Sequence, residues 1–465
     1  MCVMKSKPLK TKKEPYVATT DSCKQCAPLG ACLAFKGVEG SVPFLHGSQG
    51  CATYMRRYVI SHFREPVDIA SSSLGEKHAI YGGGPNLKLG LRNVMAKYHC
   101  GLIGVATTCL TETIGDDTPR LVKEFRDEFA DELACHGNPS IVNVSTPSYA
   151  GSHVDGFHSA VRAIVDQLAS NVQTVKNTLN LFPGFVSPAD TRYLKEIVHD
   201  FGLNPVVLPD ISETLDGPAA AEYEKIPSGG TPIASIKGMG TAVLSVEFGR
   251  CLTDSMSASN ILEDRFNVRS RRLGTPIGLR ETDIFMNALE EITSRKTPVK
   301  YELERGRLVD SYVDGHKYVS GKKAVIYGDP DMVVGLASFL TEIGIKPMLC
   351  ATGAKSQHFK TAIKAVTEEI LDEPSEVLDN VDFFDIEETA EKMSPDLLLG
   401  SSKGYKLARK WNIPLVRLGF PIHDRFGAQR ICQLGYKGTQ DLFDTIVNAV
   451  IQATQDRSAI GYTYI

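Results

Sequence analysis

The feature that most constrains the fold of this chain is a regular alternation of short apolar runs with amphipathic segments. Residues 102–106 form an apolar run of strand length, followed by a turn and then a segment with apolar residues on one helical face. The same alternation recurs along the chain, with strands predicted at 141–144, 177–181, 205–208, 242–246, 324–327, 347–349, 397–399 and 415–418. Longer helices are predicted at about 304–319 and 441–453. This pattern predicts parallel sheets with helices on both faces.

The length of 465 residues exceeds what one hydrophobic core usually serves. We therefore predict an α/β fold of three Rossmann-like domains with mainly parallel sheets, at 21–170, 171–300 and 301–465. Residues 1–20 are rich in Lys and lack an apolar centre, so they are interpreted as a flexible arm and not as a secretory signal. No apolar run approaches the roughly 20 residues of a membrane helix. A net charge of −4 gives no basic footprint for nucleic acid.

The sequence contains 11 cysteines and no export signal, which predicts reduced thiols in a cytoplasmic protein. Cys23 and Cys26 form a single C-x-x-C pair, and without a second pair a zinc ribbon is not expected. The cysteines interpreted as structural or as surface thiols are Cys2, Cys32, Cys100, Cys135, Cys251, Cys350 and Cys432. Cys26, Cys51 and Cys109 instead border turns at the edges of predicted elements. Spacing alone leaves a shared metal cluster and scattered buried thiols as alternatives.

Residues 46–51, His-Gly-Ser-Gln-Gly-Cys, are the most distinctive of these turns. Glycine permits close backbone approaches, and a cysteine at the start of a helix lies near free N–H groups and the positive end of the helix dipole. That environment favours the thiolate, which is the metal-binding form. Cys109 and Ser148 each follow a predicted strand, where open α/β sheets bind ligands. No dinucleotide or Walker motif occurs in a strand–turn–helix context, and the glycines at 81–85 are interpreted as a loop.

Several motifs occur in one register from about residue 23 to near the end of the chain. They are residues 26–31, 46–51, 62–66, 107–117, 146–153, 305–310 and 419–425. In these motifs the chain resembles the beta chain of nitrogenase component 1, a family that acts in nitrogen fixation. The resemblance implies the nitrogenase component 1 fold of three Rossmann-like domains. It also implies pairing with an alpha-type subunit in an α2β2 heterotetramer, and an ATP-dependent iron protein as electron donor.

The resemblance further implies an iron–sulfur cluster between the alpha and beta chains, with Cys26, Cys51 and Cys109 as its ligands in this chain. Ser148 matches a serine that can bind an iron of the oxidised cluster. Thiolates are the usual ligands of iron–sulfur clusters, and a shared cluster needs only part of the ligand set from each subunit. The active-site metal cofactor of the family lies in the alpha chain. The implied activity is therefore that of an oxidoreductase subunit that relays electrons and does not itself bind substrate.

A second implied site is a mononuclear cation site at the beta–beta contact, formed by Glu65, Asp310 and Asp314. Residues i and i+4 share one helix face, and carboxylate oxygens suit a divalent cation such as calcium or iron. The alternative is a solvated acidic helix face.

The resemblance leaves the role open among related beta chains. Residues 435–440 and 461–465 are more similar to the beta chain of the scaffold that assembles the iron–molybdenum cofactor, whose cluster would be of the 4Fe-4S type. Some scaffold chains keep only the cysteine of residues 46–51, whereas this chain has Cys26, Cys51, Cys109 and Ser148, which favours a P-cluster of the 8Fe-7S type. Nitrogenase-like reductases of thioethers share the architecture, so the substrate stays open. A nucleotide-binding or periplasmic-type α/β protein with ordinary buried cysteines is the third alternative.

Overall fold

The structure is a computed structural model that describes residues 22–172, 175–219, 221–222 and 224–460. The arm predicted at 1–20 lies outside the described residues. Three parallel sheets follow one another along the described part of the chain, each with helices packed against it. This arrangement confirms the predicted α/β class with mainly parallel sheets. The boundaries of the three domains remain a prediction.

The first sheet has the strand order β2-β1-β3-β4, and all its pairings are parallel. Its strands are β1 (Ser41–His46), β2 (Ala70–Ser71), β3 (Leu102–Thr107) and β4 (Ser140–Val144). The helices of this part are α1 (Ala27–Lys36), α2 (Gln49–Phe63), α3 (His78–Tyr81), α4 (Gly84–Tyr98), α5 (Cys109–Ile114), α6 (Thr118–Glu128), α7 (Ala130–Cys135) and α8 (His153–Leu168).

The second sheet has the order β6-β5-β7-β8, again with parallel neighbours. Its strands are β5 (Thr178–Phe182), β6 (Asn204–Val207), β7 (Leu244–Phe248) and β8 (Ser270–Leu273). The accompanying helices are α9 (Pro188–Asp200), α10 (Ile233–Lys237), α11 (Ala258–Phe266) and α12 (Gly278–Thr293). The helix α13 (Val299–Val319) then leads to the third sheet.

The third sheet has the order β11-β10-β9-β12-β13 and is also parallel. Its strands are β9 (Lys323–Tyr327), β10 (Lys346–Ala351), β11 (Glu376–Leu378), β12 (Leu397–Gly400) and β13 (Leu415–Arg417). The helices are α14 (Pro330–Glu342), α15 (Phe359–Thr367), α16 (Phe383–Ala390), α17 (Tyr405–Trp411) and α18 (Gly435–Arg457).

Two buried clusters join neighbouring sheets, while the first and the third sheet each have a further cluster of their own. Leu181 of the second sheet and Ile326 of the third belong to one buried cluster, into which Phe285 and Tyr301 pack. Phe157 of α8 belongs to a second cluster, which joins the first sheet to the second. Because about 25 cal/mol is gained per Å² of apolar surface buried, these shared cores hold the three sheets to one another. None of the described helices combines the length and apolarity that crossing a membrane requires.

Two local predictions need correction, and one strand was missed. The glycines at 81–85 do not form a loop throughout, because α3 ends at Tyr81 and α4 already begins at Gly84, with Pro85 in its first turn. The two long helices are longer than predicted, since α13 begins at Val299 and α18 extends from Gly435 to Arg457. Strand β1 was not predicted, although it is fully buried and leads directly into the turn that carries Cys51.

Candidate metal centre

The turns that carry Cys51 and Cys109 lie side by side at the carboxyl edge of the first sheet. Strands β1 and β3 pair in parallel, with His46 opposite Thr107, so both end at the same level. Helix α2 follows β1 and contains Cys51 in its first turn, while α5 follows β3 and begins at Cys109. Parallel pairing therefore brings together two cysteine turns that are far apart in the sequence.

Gly47 allows these two turns to touch. A Cβ atom on Gly47 would lie 2.2 Å from Oγ1 of Thr108, which is too close for any side chain at this position. The hydroxyl of Thr108 also donates a hydrogen bond to the carbonyl oxygen of His46 at 3.1 Å, and its backbone N–H donates to the same oxygen at 3.2 Å. The conformation of one cysteine turn thus depends on the other.

Ser148, which follows β4, connects the turn of Cys26 to the turn of Cys109. Its backbone N–H donates a hydrogen bond to Sγ of Cys109 at 3.2 Å, and its hydroxyl accepts one from the N–H of Ala27 at 3.2 Å. Ala27 is the first residue of α1, directly after Cys26. Ser148 therefore joins the Cys26 turn to the Cys109 turn through two hydrogen bonds.

Cys26 is placed by the close crossing of α1 and α8. A Cβ atom on Gly30 would lie 1.7 Å from the carbonyl oxygen of His153, and one on Gly156 would lie 1.9 Å from that of Ala27. Cys26 also forms an antiparallel bridge with Ser152. Burial, then the Tyr54 hydroxyl and more weakly Cys26 raise the pKa of Tyr58, a residue of α2, to about 12.

The cysteines fall into two groups by exposure. Cys26 is exposed, and Cys51 and Cys109 are half-buried, so none of the three lies in the core. Cys32, as predicted, lies in the core, where burial raises the pKa of its thiol well above its usual range. Burial likewise raises the pKa of Cys100 to about 11 and that of Cys350 to about 12. The position of these thiols in the core fits the structural role predicted for them.

The structure also tests the predicted structural or surface role of three further cysteines, while a fourth lies outside the described residues. Burial raises the pKa of Cys251 and of Cys432 well above the usual range, which fits structural thiols. Cys135 is exposed, as predicted for a surface thiol, and Cys2 lies outside the described residues.

The three thiols and the Ser148 hydroxyl have the ligand chemistry that iron–sulfur clusters use. Among the described residues, no three His, Cys, Asp or Glu side chains are close enough to hold one metal ion. The turns of Cys51 and Cys109 do adjoin at the sheet edge, and Ser148 bonds to Cys109 and to the Ala27 N–H that follows Cys26. Thiolates at the corners of an iron–sulfur cluster bind different irons and so lie further apart than the ligands of one ion. An N–H group directed at a sulfur atom, as at Cys109, is also typical of such sites.

Two buried histidines lie behind these ligand turns and were not singled out from the sequence. His46 is fully buried, with Nε2 3.1 Å from Oδ2 of Asp116 and Nδ1 3.0 Å from the Ser72 hydroxyl. Burial lowers the pKa of His46, and Asp116 offsets part of that effect. His153 lies behind the Cys26 turn, with Nε2 3.1 Å from Oδ1 of Asp329. Both histidines belong to motifs quoted above, at residues 46–51 and 146–153, which was the available signal.

The second predicted site does not form within one copy of the chain. Glu65 is half-buried beside Asp216 and Gly217, and burial, with a smaller effect of Asp216, raises the pKa of its carboxyl group. Asp310 and Asp314 are exposed on α13. Both aspartates do lie on one helix, as predicted, but Glu65 does not join them in a group able to hold a metal ion.

The fold and the site together define a class of protein: a three-sheet α/β chain that presents three accessible cysteines on adjoining turns at a sheet edge. Comparison with known proteins identifies this class. Residues 26–451 match the family model described as nitrogenase component 1 type oxidoreductase. The chain belongs to this family of oxidoreductases, as the sequence motifs predicted.

Individual relatives agree with the family match. The nitrogenase molybdenum-iron protein beta chain of Clostridium pasteurianum is 38% identical over 428 residues, which cover 92% of each chain. The nitrogenase vanadium-iron protein beta chain of Trichormus variabilis is 34% identical, covering 91% of this chain and 92% of its own length. A solved structure titled nitrogenase Cp1 at pH 6.5 superimposes with a TM-score of 0.91 at 35% identity, covering 100% of this chain and 98% of that one. The predicted beta-chain resemblance and fold are thereby confirmed.

Proposed function

We propose that this chain is the beta subunit of a nitrogenase or nitrogenase-like component 1. In this role it holds half of an iron–sulfur cluster shared with an alpha-type subunit in a cytoplasmic α2β2 heterotetramer. Electrons from an ATP-dependent iron protein reach the metal cofactor of the alpha subunit through that cluster. The observation that carries the proposal is the double contact of Ser148, which joins the turns of Cys26 and Cys109 beside that of Cys51.

The residues of this chain have separate tasks in the proposed site. Cys26, Cys51 and Cys109 would supply thiolates, and the Ser148 hydroxyl would supply an oxygen ligand after release from the Ala27 N–H. The exposed Cys26 and the half-buried Cys51 and Cys109 support a cluster completed by a second subunit. An iron–sulfur cluster supplies one-electron chemistry at a potential set by its ligands and hydrogen bonds. A complete half-set with Ser148 supports an 8Fe-7S P-cluster over the 4Fe-4S cluster of an assembly scaffold.

The beta–beta contact of the proposed heterotetramer would contain the predicted cation site. Val299, Leu303 and Val313 are exposed on α13 around Asp310 and Asp314, which supports a subunit contact on this helix face. Glu65 would come from the other beta subunit, since within one chain it lies apart from the two aspartates. Three carboxylates suit a divalent cation.

The decisive experiment removes single thiols from the purified alpha–beta complex. We expect Cys51→Ala and Cys109→Ala to lower iron and acid-labile sulfide and to alter the electron paramagnetic resonance spectrum of the cluster. Cys32→Ala is the matched control, because it removes a buried thiol of the same size without touching the candidate centre. Equal iron content in all three variants and the wild type would contradict the cluster.

A second measurement separates electron relay from cofactor assembly. The wild-type complex, supplied with iron protein and ATP, should reduce a substrate, and Cys109→Ala should abolish that turnover. Dinitrogen, acetylene and a thioether are the substrates to compare, because the sequence leaves the substrate open. A wild-type complex without turnover that instead delivers a matured cofactor to an apo-nitrogenase would establish the scaffold role and refute the relay.

A further inference from the structure

The segment that precedes Cys26 lies on the third sheet, although Cys26 itself belongs to the first. We call residues 22–25 the strap. Ser22 forms an antiparallel bridge with Asp382, just beyond β11, and Lys403 after β12 donates a hydrogen bond from Nζ to the Ser22 carbonyl at 2.7 Å. Lys24 donates from Nζ to Oδ1 of Asn380 at 3.4 Å. The strap thus crosses the carboxyl edge of the third sheet, the edge where open α/β sheets bind ligands.

Gly353, which follows β10, provides the space for the strap. A Cβ atom at this position would lie 2.7 Å from the backbone carbon of Cys23 and 2.8 Å from the backbone nitrogen of Lys24. Both neighbours are main-chain atoms, which cannot turn aside as a flexible side chain would. Any side chain at Gly353 would therefore lift the strap from the sheet.

His153 joins the strap to the third sheet from the opposite side. Its backbone N–H donates to the Gln25 carbonyl at 3.0 Å, and its Nδ1 accepts from the Gln25 N–H at 3.3 Å. Nε2 lies 3.1 Å from Oδ1 of Asp329, which follows β9 and directly precedes α14. This close contact between the ring nitrogen and the carboxylate oxygen does not meet the geometry of a hydrogen bond. His153 is 3% exposed and Asp329 7%, so water screens the contact little.

These contacts divide the three ligand turns between two sheets. The turns of Cys51 and Cys109 are built on β1 and β3 of the first sheet alone. The turn of Cys26 is held on one side by Ser148 and Ser152, and on the other by the strap. A displacement of the third sheet against the first would therefore move Cys26 relative to the other two cysteines.

We propose that the third sheet positions Cys26 through the strap, with Gly353 and His153 as positioning residues for the cluster. The inference rests on the proposed function in one respect, because Cys26 counts as a ligand only there. The strap's attachment and its effect on the Cys26 turn are properties of this chain that can be measured without the cluster.

The first test is Gly353→Ala in the alpha–beta complex, followed by hydrogen exchange at single amides. The N–H groups of Gln25, Ala27 and Leu29 are bonded in the strap and in the Cys26 turn. We expect them to exchange about tenfold faster, which corresponds to about 1.4 kcal/mol of lost local stability. Gly75→Ala is the control, because a Cβ at Gly75 meets no atom within 4 Å. Unchanged exchange at Ala27 and Leu29 would overturn the proposal.

The second test separates the two contacts of the His153 ring and reads the cluster. In His153→Asn the amide oxygen can replace Nδ1 as acceptor for the Gln25 N–H, whereas His153→Leu loses both contacts. We expect the cluster's midpoint potential and paramagnetic resonance spectrum to change in His153→Leu, with partial rescue in His153→Asn. His158→Asn is the control, since His158 lies on the same helix and is 8% exposed.

The outcomes are distinct. Faster exchange with an unchanged cluster spectrum in both Gly353→Ala and His153→Leu would reduce the strap to a chain anchor and overturn the positioning role. A wild-type complex without iron and sulfide would refute the proposed function. In that case the hydrogen exchange of the Ala27 and Leu29 amides in Gly353→Ala alone decides whether the third sheet holds the Cys26 turn.

Discussion

The backbone N–H of Ser148 points at Sγ of Cys109 from 3.2 Å, and the Ser148 hydroxyl accepts a hydrogen bond from the N–H of Ala27. Ser148 alone thus bonds to the turns of two cysteines, Cys26 and Cys109, which are 83 positions apart in the sequence. The Ala27 N–H is one of the four at a helix start that have no partner within the helix. Ser148 therefore stabilises the start of α1 as well as the candidate centre.

Replacement of Ser148 by Ala should destabilise the chain even without metal. The N–H of Ala27 would lose its partner, and the loss of such a bond costs about 1 kcal/mol. Thermal unfolding of the metal-free protein measures the effect. Ser61→Ala is the control, because the Ser61 hydroxyl only bonds the Tyr58 carbonyl in its own helix and its loss should cost less than about 0.5 kcal/mol. Equal stability of Ser148→Ala and the wild type would contradict the role given to this hydroxyl.

Alkylation should separate the two groups of cysteines. At pH 8, iodoacetamide should label Cys26, Cys51 and Cys109 in metal-free protein and leave Cys32, Cys100 and Cys350 unlabelled, because burial raises the pKa of these three thiols. In the iron-loaded complex the first three should become protected, while the exposed Cys135 stays reactive as an internal control. Mass spectrometry of the peptides gives the extent at each site. Equal labelling of Cys26 with and without iron would contradict its role as a ligand.

The same buried thiols imply a loss of stability at high pH. Their folded pKa is above the value of about 8.5 for a free thiol, so the unfolded chain releases protons first as the pH rises. The contribution of Cys350 to the free energy of unfolding is thus complete below about pH 8.5. It is lost as the pH rises towards the folded pKa of about 12.

The alternation of strands and helices was sufficient to predict the fold class, because each strand of a parallel sheet must be followed by a covering helix. Strand β1 escaped prediction for a local reason. Pro43 lies in its middle, and proline normally argues against a central strand because it cannot donate to the ladder. Here β1 pairs with both β2 and β3, so tertiary burial outweighs that preference.

The residues of the candidate site were predicted one by one, but the contacts that hold their turns together were not. The positions of Cys109 and Ser148 after strands follow from the local pattern, and the structure confirms both. The contacts of Ser148 with Ala27 and of His153 with Asp329 depend on strand register and on the packing of separate sheets. No local pattern encodes such distances. The roles of the cysteines as ligands remain predictions from the resemblance.

His62 should make stability fall in mildly acidic solution. Its Nδ1 accepts a hydrogen bond from the Ile422 N–H at 2.8 Å, and burial, with a smaller effect of Arg64, lowers its pKa to about 3. The unfolded chain takes up this proton near the ordinary value of about 6.5, so the stabilisation is complete above that pH and is lost as the pH falls towards 3, by at most about 5 kcal/mol.

Urea unfolding at pH 7.5, 6 and 5 measures this dependence. In His62→Asn the amide oxygen can still accept from Ile422 but cannot titrate, so the loss of stability between pH 7.5 and 5 should be smaller than in the wild type. His316→Asn, at an exposed position of α13, should leave the wild-type dependence unchanged. The comparison isolates His62, because all other titrating groups are common to the wild type and the variant. Parallel curves for wild type and His62→Asn would contradict the neutral buried histidine.

Asp310 and Asp314 should control the pairing of the two alpha–beta halves. In the proposed heterotetramer a cation offsets the repulsion between these carboxylates and Glu65 of the other half, whose pKa burial already raises. Replacing both with Asn removes two charged oxygen donors, so the cation should bind more weakly and the heterotetramer should dissociate into alpha–beta halves at higher protein concentration. Sedimentation velocity over a dilution series measures that shift, and a chelator should reproduce it in the wild type.

Asp127→Asn with Asp131→Asn is the control, because it removes two exposed charges on α6 and α7. If the Asp310 and Asp314 variant and the chelated wild type both remain heterotetramers, the two aspartates belong to a solvated helix face. The cluster's paramagnetic resonance spectrum should be the same in all these samples, since the aspartates lie on α13 and the cysteines on the first sheet.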